Sequence, residues 1–226
     1  DLRMSRGLGD VYKRQVIDML LKEIYSEYDY NIEITGVQTD SRFVKPGNLF
    51  LPIRGKNFEG DEFFIDAITK GAVAIVYDKA IHNLTIPVII VDNLEKELFR
   101  LIDLIYEKPY NELTMIGVTG TDGKTSVSTL TSYLLNHLSR CANIGTNGII
   151  YDKEIIDNVF TTPILTQNYS LLREFSNLGI SYVSMEVSSQ GIANKRIEGI
   201  LYDYAIFTNL SHEHLDTHKT MHNYFL

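Results

Sequence analysis

The residues Gly117-Val118-Thr119-Gly120-Thr121-Asp122-Gly123-Lys124-Thr125 are of the types and spacing that could hold a polyphosphate. Counted from Gly117 the spacing is G-x5-G-K-T, one residue longer than the usual phosphate-loop pattern. The chemistry lies in the second half, from Gly120 onward. Glycines let backbone N–H groups turn inward around phosphate oxygens, and a helix starting at the loop adds its positive end. Lys124 can reach the β- and γ-phosphates, and the Thr125 hydroxyl can ligate Mg²⁺. The candidate nucleotide contacts are therefore Gly120, Thr121, Asp122, Gly123, Lys124, Thr125 and Ser126. Asp122 is the awkward member, because it sets a negative charge beside phosphates. It either points outward or meets Mg²⁺ through water. The bland alternative, a chance glycine-rich turn, is opposed by the apolar run before the loop and the amphipathic segment after it.

A second acid follows another apolar run, in Ser184-Met185-Glu186-Val187-Ser188-Ser189. In open α/β sheets ligands bind beyond the carboxyl ends of strands. Glu186 there could hold Mg²⁺ or orient a group being phosphorylated; the bland alternative is a strand-end glutamate in solvent. Further on lie His212, His214, His218 and His222. A zinc helix of the H-E-x-x-H type starting at His212 would need histidine at position 216, and that residue is Asp216. The alternative for this stretch is a solvated polar loop.

These groups need elements to position them. Residues 16–25 carry apolar side chains at helical spacing, and residues 32–37 and 49–53 read as strands on either side of a Lys45-Pro46-Gly47-Asn48 turn. Residues 61–70 read as a short helix ended by Gly71. Residues 72–77 and 88–91 are continuous apolar runs, the pattern of strands buried on both faces. Between Asp92 and Tyr106 runs an amphipathic helix with Leu94, Leu98, Leu101, Ile102 and Ile105 on one face; Asp92 and Glu95 make a capping-box-like start and Pro109 is its stop. The boundary falls here, giving one domain over residues 16–108 and a second over 109–226.

After the boundary, residues 113–118 read as a buried strand and residues 125–138 as a helix with Val127, Leu130, Leu134 and Leu138 on one face. Residues 149–156 read as a hairpin around Asp152-Lys153, residues 167–177 as a helix closed by Gly179, and residues 180–187 and 202–208 as strands. Strands alternating with helices predict an α/β fold: a small N-terminal α/β domain, then a partial phosphate-loop domain on a doubly wound, mostly parallel sheet.

Composition narrows the functional classes. The 226 residues carry a formal charge of −8, which argues against a nucleic-acid groove or a polybasic membrane patch. The apolar fraction of 44% is enough for a real core, and no apolar run approaches the ~20 residues of a membrane-spanning helix. The single cysteine, Cys141, excludes an intrachain disulfide framework and a multi-cysteine zinc site, and suits a reducing compartment. Residues 1–15 lack periodicity, and Asp10-Val11-Tyr12-Lys13-Arg14-Gln15 looks like translated adaptor sequence, so this stretch reads as non-native. Residues 221–226 begin what looks like a helix with no cap or breaker. The chain therefore reads as a fragment at both ends.

Taken together, Thr39-Asp40-Ser41-Arg42 with Pro46-Gly47-Asn48-Leu49-Phe50, the loop Gly117–Thr125, Thr161-Thr162-Pro163, Met185-Glu186-Val187-Ser188-Ser189, Asn194-Lys195-Arg196 and Phe207-Thr208-Asn209-Leu210 through His214-Leu215-Asp216 resemble the Mur ligase family. These are ATP-dependent amide-bond formers of peptidoglycan synthesis. The resemblance implies ATP and Mg²⁺ as cofactors, a UDP-N-acetylmuramoyl-dipeptide and a diamino acid as partners, and a cytoplasmic monomer. It implies that Ser41 and Arg42 touch the uridine-diphosphate end of the substrate, while Thr161, Thr162, Ser188, Asn194 and Arg196 hold the muramoyl-dipeptide end. Lys124, Glu186 and His214 would be the catalytic groups, with Thr125, Glu186 and His214 serving the metal.

Three positions depart from the family pattern: Asp122 replaces asparagine, Gln190 stands where histidine is common, and Glu213 stands where aspartate usually precedes the histidine. The resemblance also implies that a modified lysine of the family would fall just past Leu226, with a C-terminal ligase domain beyond it, so that the chain alone would bind ligands without forming the amide bond. The rival readings are a ligase of the same family that adds D-Ala-D-Ala, a folylpolyglutamate-synthase-like ligase, or a nucleotide-binding module without turnover. The Asp40-Ser41-Arg42 segment opposes the folylpolyglutamate reading, and the joint presence of Lys124, Glu186 and His214 opposes the module.

Overall fold

Continuous apolar runs of three to six residues become parallel strands when helices can cover both faces, and both halves of this chain follow that rule. The computed structural model describes residues 19–53 and 63–225, the side chain of Asp216 excepted. The stretch read as non-native, the first residues of the helix expected from residue 16 and those of the helix expected from residue 61 lie outside them. By their contacts the described residues divide into one unit up to Glu107 and a second from Lys108.

In the first unit, β1 (Met19–Leu20) pairs antiparallel with β2 (Glu33–Ile34), and among the described residues of the helix expected over 16–25, Leu21–Ile24 are helical (α1). The strand expected at residues 32–37 is broken in two, because β2 belongs to that ribbon while β3 (Gly36–Gln38) opens a separate four-stranded sheet. That sheet is parallel throughout, in the order β3, β4 (Asn48–Phe50), β5 (Ala74–Tyr77), β6 (Val88–Ile90). The Pro46-Gly47 turn forms as expected, with Asn48 N–H on Lys45 O at 3.1 Å and Gly47 at φ +87°. Helix α2 (Phe64–Thr69) lays Phe64 across the sheet, edge-on to Tyr77 at 5.2 Å.

Helix α3 (Leu94–Tyr106) buries Leu98, Leu101, Ile102 and Ile105, the face the sequence predicts. Its cap differs. Asn93, not Asp92, is the N-cap, and its Oδ1 accepts from Lys96 N–H at 2.8 Å. Such a cap contributes about 1 kcal/mol. The helix also stops before Pro109, since Glu107 and Lys108 both adopt left-handed conformations.

The second unit is a six-stranded mixed sheet in the order β10 (Glu154–Ile156), β9 (Gly148–Tyr151), β8 (Cys141–Gly145), β11 (Tyr182–Glu186), β7 (Thr114–Thr119), β12 (Tyr204–Phe207). The four strands β8, β11, β7 and β12 are parallel, and β9 and β10 form the hairpin expected around Asp152. Helix α4 (Lys124–Leu135) leaves β7 toward the β8 side of the sheet; α5 (Leu165–Asn177) precedes β11; α6 (Ser189–Ala193) leads toward β12 on the other side. The connections after the neighbouring strands β7 and β11 thus depart in opposite directions. This is a switch point, where a crevice opens beyond the strand ends. The chain closes with α7 (Leu215–His218) and α8 (Met221–Phe225).

The apolar face of α4 does not meet the sheet. Ser128 and Ser132 are buried against the sheet, while Leu130, Leu134 and Leu138 are 59%, 63% and 77% exposed. Small side chains let the helix lie close to the strands, and Ser184 Oγ donates to Ser128 O at 3.0 Å across that contact. Among the described residues no helix is long and apolar enough to cross a membrane.

Candidate active site

The carboxyl ends of β7, β8 and β11 share one edge of the sheet, and the residues just beyond them line a cleft of about 500 Å³. Thr121, Asp122 and Gly123 come from the β7–α4 loop, Lys124 and Thr125 from the first turn of α4, Glu186 and Ser188 from the end of β11, and Thr161, Arg196 and His214 from three further loops. Of the site residues expected from the sequence, this cleft gathers those ten.

The loop itself runs from Gly120 to Gly123, both at positive φ, and α4 begins at Lys124. Gly117 belongs to β7; a Cβ there would lie 3.0 Å from the Tyr202 ring. The extra residue in the motif spacing is thereby explained: the first glycine makes room for an aromatic ring and lies outside the loop. Lys124 Nζ donates to Gly120 O at 2.7 Å and Thr121 O at 2.8 Å, so its charge sits over the loop. Asp122 is exposed, and Ser211 Oγ donates to its Oδ2 at 3.4 Å. Ser126, on the first turn of α4, is exposed and is not among the cleft-lining residues.

Glu186 is not a solvated strand end: it is 1% exposed. Its Oε1 accepts from Thr146 N–H at 2.8 Å, and its Oε2 from the hydroxyls of Thr125 at 2.9 Å and Thr146 at 3.3 Å. Thr146 and Thr161 are joined hydroxyl to hydroxyl at 3.0 Å. Below them Thr162 is fully buried, donating to Glu186 O at 2.9 Å, accepting from Ser188 N–H at 2.9 Å and lying 3.0 Å from Ser188 Oγ. Arg196 lies over the Phe160 ring at 4.1 Å and donates to Thr162 O at 3.0 Å. Burial pulls its pKa below the ordinary value, and no carboxylate among the described residues is within ion-pair distance. His214 sits in a left-handed conformation at the start of α7, edge-on to Tyr224 at 5.8 Å. Asn194 is not among the cleft-lining residues, and its Nδ2 donates to Gln190 O on the preceding helix at 2.8 Å.

Ser41 and Arg42 lie in the first unit. Ser41 is buried, and its backbone carbonyl accepts from Lys70 Nζ at 3.1 Å. Arg42 is held bidentately by Asp40, with Nη2 to Oδ2 at 2.6 Å. Burial works to raise the Asp40 pKa, but the hydrogen bonds from Arg42 outweigh it and hold it below the usual carboxylate range.

The residues present fit Mg²⁺. Among the described residues no three His, Cys, Asp or Glu side chains converge, which disfavours zinc. Mg²⁺ instead takes one or two protein carboxylates and completes its shell from phosphates and water. The Glu186 carboxylate and the Thr125 hydroxyl, adjoining the start of α4, are such a donor set. Sequence reasoning missed Thr146, Phe160 and Gly145, and the first and last follow from one missed strand, β8.

Comparison with known proteins agrees with this geometry. Residues 118–226 match the family described as Mur ligase middle domain, and residues 33–102 match that described as Mur ligase family, catalytic domain. The UDP-N-acetylmuramoyl-L-alanyl-D-glutamate–2,6-diaminopimelate ligase of Haemophilus influenzae is 38% identical over 209 residues, covering 88% of this chain and 42% of the relative. UDP-N-acetylmuramyl-tripeptide synthetase 2 of Oceanobacillus iheyensis is 41% identical over 197 residues, covering 84% and 40%. The chain thus spans about two fifths of the length of these relatives. A solved UDP-N-acetylmuramoyl-L-alanyl-D-glutamate–2,6-diaminopimelate ligase superposes with a TM-score of 0.67 at 25% identity, over 92% of this chain and 43% of that one. The MurF ligase of Thermotoga maritima in complex with ADP shares the fold, with a TM-score of 0.55 at 22% identity, over 84% and 41%. With both units matched in order, and the phosphate loop, buried Glu186 and Arg196 in one cleft, the chain belongs to the Mur ligase family.

Proposed function

We propose that the whole protein joins a diamino acid to UDP-N-acetylmuramoyl-L-Ala-D-Glu in peptidoglycan precursor synthesis, at the expense of ATP. The observation that carries this reading is the single cleft in which the start of α4, the buried Glu186 and the carboxylate-free Arg196 meet. In this reading the D-glutamyl carboxylate attacks the γ-phosphorus of ATP and ADP leaves. The amine of the diamino acid then attacks the acyl phosphate and inorganic phosphate leaves. ATP and Mg²⁺, when bound, supply the phosphoryl group and screen its charge. Lys124 and the first amides of α4 hold the phosphate chain, Thr125 and Glu186 hold the metal with His214 nearby, and Arg196 with Thr161 and Ser188 orients the dipeptide. Anionic reactants must approach one another, so fixed positive groups matter most. On the resemblance alone we place the protein in the cytoplasm as a monomer.

Lys124→Ala is expected to weaken ATP binding by about 1.5–3 kcal/mol, the scale of hydrogen bonds to a charged group. Calorimetry on the purified chain checks it, and unchanged affinity rejects the nucleotide site.

For the first unit we propose recognition of the uridine diphosphate through the segment that carries Ser41 and Arg42. The guanidinium would exchange Asp40 for the diphosphate, a stronger charge-assisted partner. Adding the UDP-sugar substrate should move amide NMR signals clustered within residues 32–60; movement confined to residues beyond 113 would reject this assignment.

A further inference from the structure

The segment after β12 grips the phosphate loop. Asp122 N–H donates to Asn209 Oδ1 at 3.0 Å, and Asn209 Nδ2 donates back to Asp122 O at 3.0 Å. One side-chain amide thus closes on both backbone groups of a loop residue. The Asn209 backbone carbonyl accepts from Thr121 N–H at 3.0 Å. Thr208 Oγ1 lies 2.7 Å from Asp122 O and 3.2 Å from Thr119 O. Ser211 N–H donates to Thr121 Oγ1 at 2.9 Å. The approach is close enough to require Gly120, because a Cβ there would overlap Thr208 Oγ1 and come within 2.8 Å of Asn209 O.

We propose that Asn209, supported by Thr208, is a positioning residue that sets the shape of the phosphate loop and decides which of its amides meet a phosphate chain. The inference rests on the nucleotide reading given above. In a free glycine-rich loop every amide is available to an anion. Here the N–H groups of Thr121 and Asp122 are taken by Asn209. Those of Gly123, Lys124, Thr125 and Ser126 have no partner among the described residues, and the last three point from the first turn of α4, a twelve-residue helix. The anion is therefore received by Gly123 and the helix start, beside Lys124 and Thr125, and not by the amides of Thr121 and Asp122. The clamp also gives Asp122 its place. Its backbone is held by Asn209, and its carboxylate accepts from Ser211 Oγ at 3.4 Å.

Asn209 is exposed, so its loss removes little packing. A residue with a merely structural role would change melting and affinity together; a positioning residue changes affinity at constant melting. The test is calorimetry with ATP and MgCl₂ on the purified chain, with thermal melting and amide hydrogen exchange recorded in parallel. Asn209→Ala should lose about tenfold in affinity, the equivalent of one to two hydrogen bonds, while its melting temperature stays put. Exchange at Thr121 and Asp122 should speed up. Thr208→Val should lose about threefold, and Thr208→Ser, which keeps the hydroxyl, should restore it. If Asn209→Ala fails to fold, the Thr208 pair carries the same expectation. Wild-type affinity in Asn209→Ala and Thr208→Val, with Lys124→Ala still impaired, overturns the clamp and leaves the nucleotide site standing. No effect of Lys124→Ala overturns both.

Discussion

Gly145→Ala is expected to expel the Glu186 carboxylate from its seat and remove Mg²⁺-dependent ATP binding from this chain. A Cβ on Gly145 would overlap Glu186 Oε1 and lie 2.7 Å from Cδ and 2.9 Å from Cγ. The side chain has nowhere to retreat within the sheet, because it is 1% exposed and anchored at both oxygens by Thr125 and Thr146. Overpacking of this kind costs about 1–3 kcal/mol. Separating a carboxylate from its donors adds about 1–3 kcal/mol more for a group that stays buried. The second unit should therefore lose about 2–6 kcal/mol of stability in denaturant unfolding. In calorimetry the variant should bind ATP equally with and without MgCl₂. A Mg²⁺ response equal to wild type would mean that Glu186 is not the carboxylate that holds the metal.

That seat explains what could be read from the sequence and what could not. The glycine loop was legible as a strand-to-helix turn because its residues are contiguous: the two glycines, lysine and threonine of Gly120–Thr125 are neighbours in the chain. Glu186 was legible as the end of an apolar run, though its burial was not. The partners that bury it come from Thr146, beyond a strand that the sequence hid. Cys141–Gly145 has a buried asparagine at its centre and little β-branched character, so neither alternation nor an apolar run marks it. The clamp on the loop was likewise hidden, since Asn209 meets Asp122 from 87 residues away. Local pattern carries no information on such a distance.

The helices teach a similar lesson. Helix α3 obeyed its apolar stripe, with Leu98, Leu101, Ile102 and Ile105 all buried. Helix α4 did not, because close approach to the sheet selected Ser128 and Ser132 and left the leucine stripe outside. Periodicity identifies the helix, but side-chain size decides which face the sheet accepts. Asn194 shows the limit of motif transfer. It sits within the expected Asn-Lys-Arg segment, yet its amide caps its own helix while Arg196, two residues on, faces the cleft.

Thr162→Val should damage the site through the backbone that supports it. The hydroxyl is fully buried and occupies the centre of three contacts: it donates to Glu186 O, accepts from Ser188 N–H and lies against Ser188 Oγ. Valine matches the shape and removes all three. The Glu186 carbonyl and the Ser188 amide are then left without partners, at about 1–3 kcal/mol for each that stays dry. Ser188 also caps α6, where its Oγ accepts from Gly191 N–H at 3.1 Å, so the loss reaches the start of the segment leading to Arg196. The bond from Arg196 to Thr162 O is to the backbone and survives the substitution in place. We therefore expect a stability loss of about 2–4 kcal/mol in the second unit. Thr162→Ser separates the hydroxyl from the methyl, which packs on Gly191. It should recover most of that loss in the same denaturant titration. If the serine variant is as unstable as the valine variant, packing against Gly191 holds this corner of the cleft, and the hydroxyl does not.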